Sequence, residues 1–183
     1  MSRIGAAIFV VLSLAYPLVV YWAMGRFEPR WLAVLLLVLA LLRAAATRQA
    51  VWLVAAAGAA LLALLATVSN EALPLKLYPA LVNGVMLAVF ATSLAFPPSA
   101  VERIARMTEP NLPPAGVAYT RRVTQVWCVF FVVNGALAVG TALWTSDRVW
   151  ALYNGLIAYV LIGTLFGVEW LVRRRVRAGH SHG

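Results

Sequence analysis

From Leu77 to Phe96 the chain runs for 20 residues without a formal charge, and such runs recur along its whole length. Ile4–Met24 is charge-free for 21 residues, Ala50–Val68 for 19, Val123–Trp144 for 22 and Val149–Val168 for 20. Trp31–Leu42 is shorter, and reaches Ala46 if Arg43 snorkels its guanidinium toward water. A helix needs about 20 apolar residues to cross the hydrocarbon core of a bilayer. Within that core every backbone polar group must be satisfied internally, which leaves helices and closed barrels as the spanning forms. The expected fold is therefore all-α: a polytopic transmembrane helical bundle of about six spans. They fall near residues 4–24, 30–46, 50–68, 77–96, 123–144 and 149–170. One domain covers residues 1–183, with a cytoplasmic segment at 97–122 and a basic tail at 171–183.

Composition agrees. Hydrophobic residues make up 63% of the chain and charged residues 11%, against about 45–50% and 25% in soluble domains. A water-soluble core of this size could not hide that much apolar surface, so lipid has to be the solvent. The first run follows Met-Ser-Arg, as a signal peptide would. Its length, its Pro17 and its aromatic end (Tyr16, Tyr21, Trp22) instead mark a retained span. Cys128 is the lone cysteine. It lies inside an apolar run as a packing residue, and no intrachain disulfide framework exists.

Fifteen Lys and Arg face six acidic residues. A nucleic-acid binder needs a soluble face on which to cluster such charge; here the basic residues fall between apolar runs, so no nucleic-acid partner is expected. With six spans, Arg3, Arg43, Arg48, Arg103, Arg106, Arg121, Arg122, Arg173, Arg174, Arg175 and Arg177 share one side. Arg26, Arg30, Lys76 and Arg148 fall on the other. That asymmetry places both termini in the cytoplasm.

Three apolar spans each carry an Asn-Gly pair: Asn83-Gly84, Asn134-Gly135 and Asn154-Gly155. In water this dipeptide signals a hairpin turn. A turn inside hydrocarbon would orphan backbone groups at several kcal/mol each, so the pairs are read as helical. Two readings stand. The amides glue helices together while glycine admits a close neighbour, or Asn83, Asn134 and Asn154 line a polar cavity. Gly163 and Gly167 have GxxxG spacing and are read as a packing face. Tyr16-Pro17 and Tyr78-Pro79 put proline in spans one and four, where each frees a carbonyl.

Glu169 is the acid nearest a spanning run. A carboxylate at membrane depth is costly unless paired. Arg173 stands four residues on, within reach of an i,i+4 ion pair; a proton- or substrate-handling role for Glu169 is the alternative. Between spans four and five, Ser99 and Glu102 have capping-box spacing. Val101, Ile104, Ala105 and Met107 form an apolar stripe. This predicts a short amphipathic helix on the cytoplasmic interface, stopped by Pro110, Pro113 and Pro114, which hold an extended strap. Arg103, Arg106, Arg121 and Arg122 are the candidate surface for a partner or a lipid headgroup.

No catalytic constellation appears: no phosphate loop, no nucleophile elbow, no paired carboxylates. His180 and His182 in the tail lack acidic or Cys neighbours, so no metal and no cofactor are expected.

From Lys76 to Arg174 the chain resembles the intracellular septation protein A family of bacterial inner-membrane proteins. The likeness is carried by LYPALVNGVMLAVFATSLAF, then IARM, EPNLP and RRVTQVWCVFFVVNGAL, and by the final span with its basic end. The Asn-Gly pairs and the Ala-rich second and third spans depart from that pattern. The branch it looks like is often encoded beside fatty-acid-synthase-like genes for aryl polyene pigments. The resemblance implies envelope biology and membrane-protein partners rather than a reaction. The expected function is a non-enzymatic adaptor or scaffold in cell-envelope biogenesis, embedded in the lipid bilayer; a small transporter or flippase of a lipid-like substrate, with Asn83, Asn134, Asn154 and Glu169 facing a polar intramembrane cavity, is the alternative. The GxxxG face also suits a homo-oligomer.

Overall fold

The structure, a computed structural model, describes residues 16–23, 26–29, 31–34, 36–38 and 50–180. Most of the first two expected spans, with Arg3, Arg30, Arg43 and Arg48, and the tail residue His182 lie outside them.

The regular elements among the described residues are helices: α1 (Ala50–Ser69), α2 (Leu73–Lys76), α3 (Tyr78–Ala95), α4 (Ala100–Arg106), α5 (Pro114–Trp144), α6 (Asp147–Leu152), a π-helical turn (Tyr153–Ile157) and α7 (Ala158–His180). Three stretches are long and apolar enough to cross a membrane: Leu73–Ala95, Pro114–Trp144 and Asp147–Arg174. Their length and composition mark a membrane-embedded helical protein.

α1, α3, α5 and α7 run up and down as successive neighbours. Gly58 faces Leu81 and Ala66 shares a cluster with Leu75, so α1 lies antiparallel to α3. Phe90 packs against Trp127 and Phe131 while Asn83 meets Asn134, so α3 lies antiparallel to α5. The Ala-rich sequence of α1 acquires a purpose here. Ala56, Ala59, Ala63 and Ala66 recur at helical spacing and are buried against Leu75, Tyr78 and Leu81. Lipid gives apolar helices no hydrophobic reason to associate, so small residues that permit close packing do the holding.

Pro79 stands in the first turn of α3 rather than kinking a span. It has no N–H to offer the Leu75 carbonyl four residues back. The Tyr16 hydroxyl donates to that carbonyl at 3.1 Å, and Tyr16 packs on Tyr78 with ring centroids 4.5 Å apart. Trp150 Nε1 donates to the next carbonyl, that of Lys76, at 3.0 Å. The buried Lys76 ammonium donates to Asp147 Oδ1 at 3.0 Å. Two elements distant in sequence, the helix of Tyr16 and α6, thus meet on the α2–α3 junction. Asp147→Asn leaves the Lys76 charge buried without its counter-ion. Water reaches the half-exposed Asp147, so the cost falls below the 3–5 kcal/mol of a fully buried pair, at about 1–2 kcal/mol. Unfolding in detergent measures it, and Lys76→Met combined with Asp147→Asn recovers most of the loss.

α5 is longer than the charge-free run foretold. It starts at Pro114, nine residues before Val123, and spans 31 residues, about 46 Å at 1.5 Å per residue. The extended strap therefore ends at Pro113, and Arg121 and Arg122 lie inside a helix. Pro114 suits this start, because the first helical N–H has no intrahelical partner to lose. The hydrocarbon core is ~30 Å thick, so the first turns of α5 stand proud of it.

Candidate functional site

Asn83 and Asn134 meet at the centre of the α3–α5 contact. Asn134 Nδ2 donates to Asn83 Oδ1 at 3.0 Å, and Asn83 Nδ2 donates to the Pro79 carbonyl at 2.8 Å. The Tyr153 hydroxyl donates to Asn134 Oδ1 at 2.8 Å. A continuous polar chain thus crosses from α3 through α5 to the π-turn. Gly135 makes it reachable: a Cβ there would sit 3.2 Å from Asn83 Cβ.

Asn154 belongs to the next level. Its Nδ2 donates to Thr141 Oγ1 at 3.1 Å and to the Trp150 carbonyl at 3.0 Å. Its neighbour Gly155 admits Leu18, whose Cδ2 would stand 2.9 Å from an added Cβ. Gly84, the third glycine, faces open space. The π-turn over Tyr153–Ile157 widens the helix locally. The consecutive residues Tyr153 and Asn154 both reach α5, at Asn134 and Thr141, seven residues apart on that helix. All three amides are buried and each bonds a neighbouring element or its own helix backbone. Tyr153 and Thr141 complete the network; hydropathy counts the one as apolar and the other as filler, so neither stands out in sequence.

Glu169 does not join the amides. It lies 15 residues beyond Asn154, about 22 Å along the helix at 1.5 Å per residue. The i,i+4 pair forms in bidentate geometry: Arg173 Nε to Oε1 at 2.9 Å and Nη2 to Oε2 at 2.6 Å. The Tyr119 hydroxyl donates to the same carboxylate at 3.3 Å, fastening the overhanging turns of α5 to α7. The Glu169 side chain is 9% exposed and that of Arg173 44%, so the carboxylate is enclosed while the guanidinium keeps donors toward solvent.

α4 sits at this arginine-rich end. The capping box forms, with Glu102 Oε2 accepting from the Ser99 amide at 3.4 Å. The Ser99 half is loose, its buried hydroxyl making no well-formed hydrogen bond. Further amides of the helix start are bound from outside: Ala100 N donates to Ser93 Oγ at 2.8 Å and Val101 N to Thr124 Oγ1 at 3.3 Å. Polar groups of α3 and α5 thus hold α4, and Glu102 is buried while Ile104 and Met107 are 62% and 85% exposed. The expected stripe faces outward in part, because helix-start amides need partners more than these side chains need cover.

The candidate surface arginines divide. Arg103 donates to the Pro98 carbonyl at 2.9 Å and the Phe96 carbonyl at 3.5 Å. Arg121 donates to the Leu94 carbonyl at 3.0 Å. Together they cap the end of α3. Arg106 pairs with Glu102 at 2.8 Å and donates to the Pro110 carbonyl at 2.9 Å, tying the strap to α4. Arg122 is exposed. Between α4, the strap and the overhang of α5 lies a groove of about 670 Å³, walled chiefly by apolar side chains, with Tyr119, Thr120, Glu109 and Arg173 among its polar lining.

A Cβ added at Gly163 or Gly167 meets nothing within 4 Å among the described residues, so their shared face points away from the rest of the described chain. Among the described residues no group of three or more His, Cys, Asp or Glu side chains gathers as a metal site would require. No family model, curated protein or solved structure matches the chain.

Proposed function

We propose that this chain is a non-enzymatic adaptor of the bacterial inner membrane, with six spans and both termini in the cytoplasm. It presents α4 and its flanks to another membrane protein of envelope synthesis. The observation that carries this reading is the fixed, outward-facing apolar surface at the arginine-rich end. Phe96 and Met107 are 74% and 85% exposed, yet the backbone between them is pinned by Ser93, Thr124, Arg103 and Arg106. Apolar groups held rigidly in the open mark interaction sites. The envelope context rests on the sequence resemblance to the intracellular septation protein A family alone. The transporter reading draws less support, since Asn83, Asn134 and Asn154 spend their hydrogen bonds on helix packing.

A photo-crosslinking residue at Met107, introduced in the full chain in living cells, tests the reading. The expected result is one discrete protein adduct. Met107→Glu, with a crosslinker moved to Phe96, lowers its yield by about tenfold or more, the effect of losing an interface anchor. Arg103 and Arg106 are poorer targets, because their loss dismantles the segment itself. Adducts to lipid alone from both positions would overturn the proposal.

A further inference from the structure

We infer that the groove between α4, the strap and the start of α5 is a lipid site. It takes one acyl chain of a bilayer phospholipid and presents Arg173 to the phosphate. The argument begins with shape. A volume of about 670 Å³ lies within the ~300–1,000 Å³ of small-molecule sites. Val101, Ala105, Leu112 and Ala115 contribute to its wall. The wall from Val101 to Thr108, formed by α4 and the turn after it, runs about 10 Å at roughly 1.5 Å per residue. This is a slot for a segment of hydrocarbon chain rather than for a folded partner.

Its position comes next. The groove is built on the turns of α5 that exceed the hydrocarbon thickness, beside the end of a span. A chain entering it leaves the bilayer at headgroup depth without crossing water.

Charge selects the head. Glu169 grips Arg173 through Nε and Nη2, and among the described residues the Nη1 donors of the guanidinium meet no acceptor. The grip also fixes the plane of the fork, and a planar fork of N–H donors matches phosphate oxygens. Arg121 and Arg122 lie one turn beyond Tyr119 on α5 and add positive potential to the same end. The site therefore suits an anionic phosphodiester whose acyl chain lies along the apolar wall. This inference does not depend on the adaptor reading, which uses Phe96 and Met107 instead.

Native mass spectrometry of the full chain, stripped of lipid in detergent and re-supplied with defined phospholipids or oleate, reads the site directly. We expect one tightly retained phospholipid per chain. Ala115→Trp, which fills the groove from an exposed position, should cut that occupancy at least tenfold at unchanged melting temperature. Arg173→Lys keeps the charge but loses the fork, and should weaken phospholipid retention severalfold while Arg122→Lys does not. Equal phospholipid retention by wild type, Ala115→Trp and a second groove-filling variant, Ala105→Phe, would overturn the site. Retention of oleate in preference to phospholipid would overturn the phosphate assignment.

Discussion

A Trp127→Ala chain in mild detergent unfolds about 3 kcal/mol more easily than the wild type. Trp127 is 6% exposed and touches aromatic rings from three helices. Its centroid lies 6.4 Å from that of Phe90 on α3, 5.6 and 5.7 Å from Phe130 and Phe131 on α5, and 4.7 Å from Phe166 on α7. Truncating a core Trp costs ~3–5 kcal/mol in soluble proteins. In lipid the transfer part of that cost shrinks, because the released surface meets hydrocarbon rather than water. The lost packing and the cavity remain, which sets the expectation at the low end. For a chain of this length that lowers the melting temperature by roughly 6–12 °C. Trp127→Phe, which keeps a ring in place, should recover more than half. A loss below 1 kcal/mol for Trp127→Ala would mean that the three helices are joined elsewhere.

The aromatic cluster shows what the sequence made legible. RRVTQVWCVFFVV announces a spanning helix by its lack of charge, and its solvent follows from composition. Which rings share a face with Phe90 or Phe166 depends on the pairing of helices, and in a chain apolar on every side no stripe declares that pairing. Helix ends were harder still. Pro113-Pro114 reads as the end of structure, yet the second proline opens α5, since a helix start tolerates a missing N–H. Hydropathy could not place that start either: the overhanging turns carry Arg121 and Arg122 and belong to the end of the molecule rather than to its spans.

The polar groups were half legible. Asn in an apolar run has to find a partner, so the helical placement of the three Asn-Gly pairs followed from physics alone, as did the pairing of Glu169 with Arg173. The partners across helices did not. Tyr153, Thr141 and Tyr119 are ordinary members of apolar or mixed runs until the fold sets them opposite an amide or a carboxylate. The grouping of Glu169 with the amides failed for a plain reason: fifteen residues of helix separate it from Asn154. Ile104 and Met107 turn outward, while inside Ser93 and Thr124 accept from Ala100 and Val101 of the helix start and Glu102 accepts from Ser99.

Asn134 is where the two readings of the amides part most clearly. Asn134→Leu keeps the branched outline of the side chain and removes the middle of the chain Asn83–Asn134–Tyr153. Asn83 Oδ1 loses its donor and the Tyr153 hydroxyl loses its acceptor, in surroundings from which water is largely excluded. A buried polar group left without a partner costs ~1–3 kcal/mol. The dissociated helices also find partners within the membrane, which holds measured interhelical bonds to ~0.6–2 kcal/mol each. Two such bonds give an expected loss of about 2–3 kcal/mol. Asn83→Leu loses about 1–2 kcal/mol, and the double variant loses less than the sum, because the second substitution removes a group the first had already orphaned. A coupling of about 1 kcal/mol in this cycle is the signature of amides serving as glue between α3 and α5. Amides that lined a wet cavity would give the opposite pattern. Water would take up each freed donor and acceptor, the single losses would fall below ~0.5 kcal/mol, and they would add.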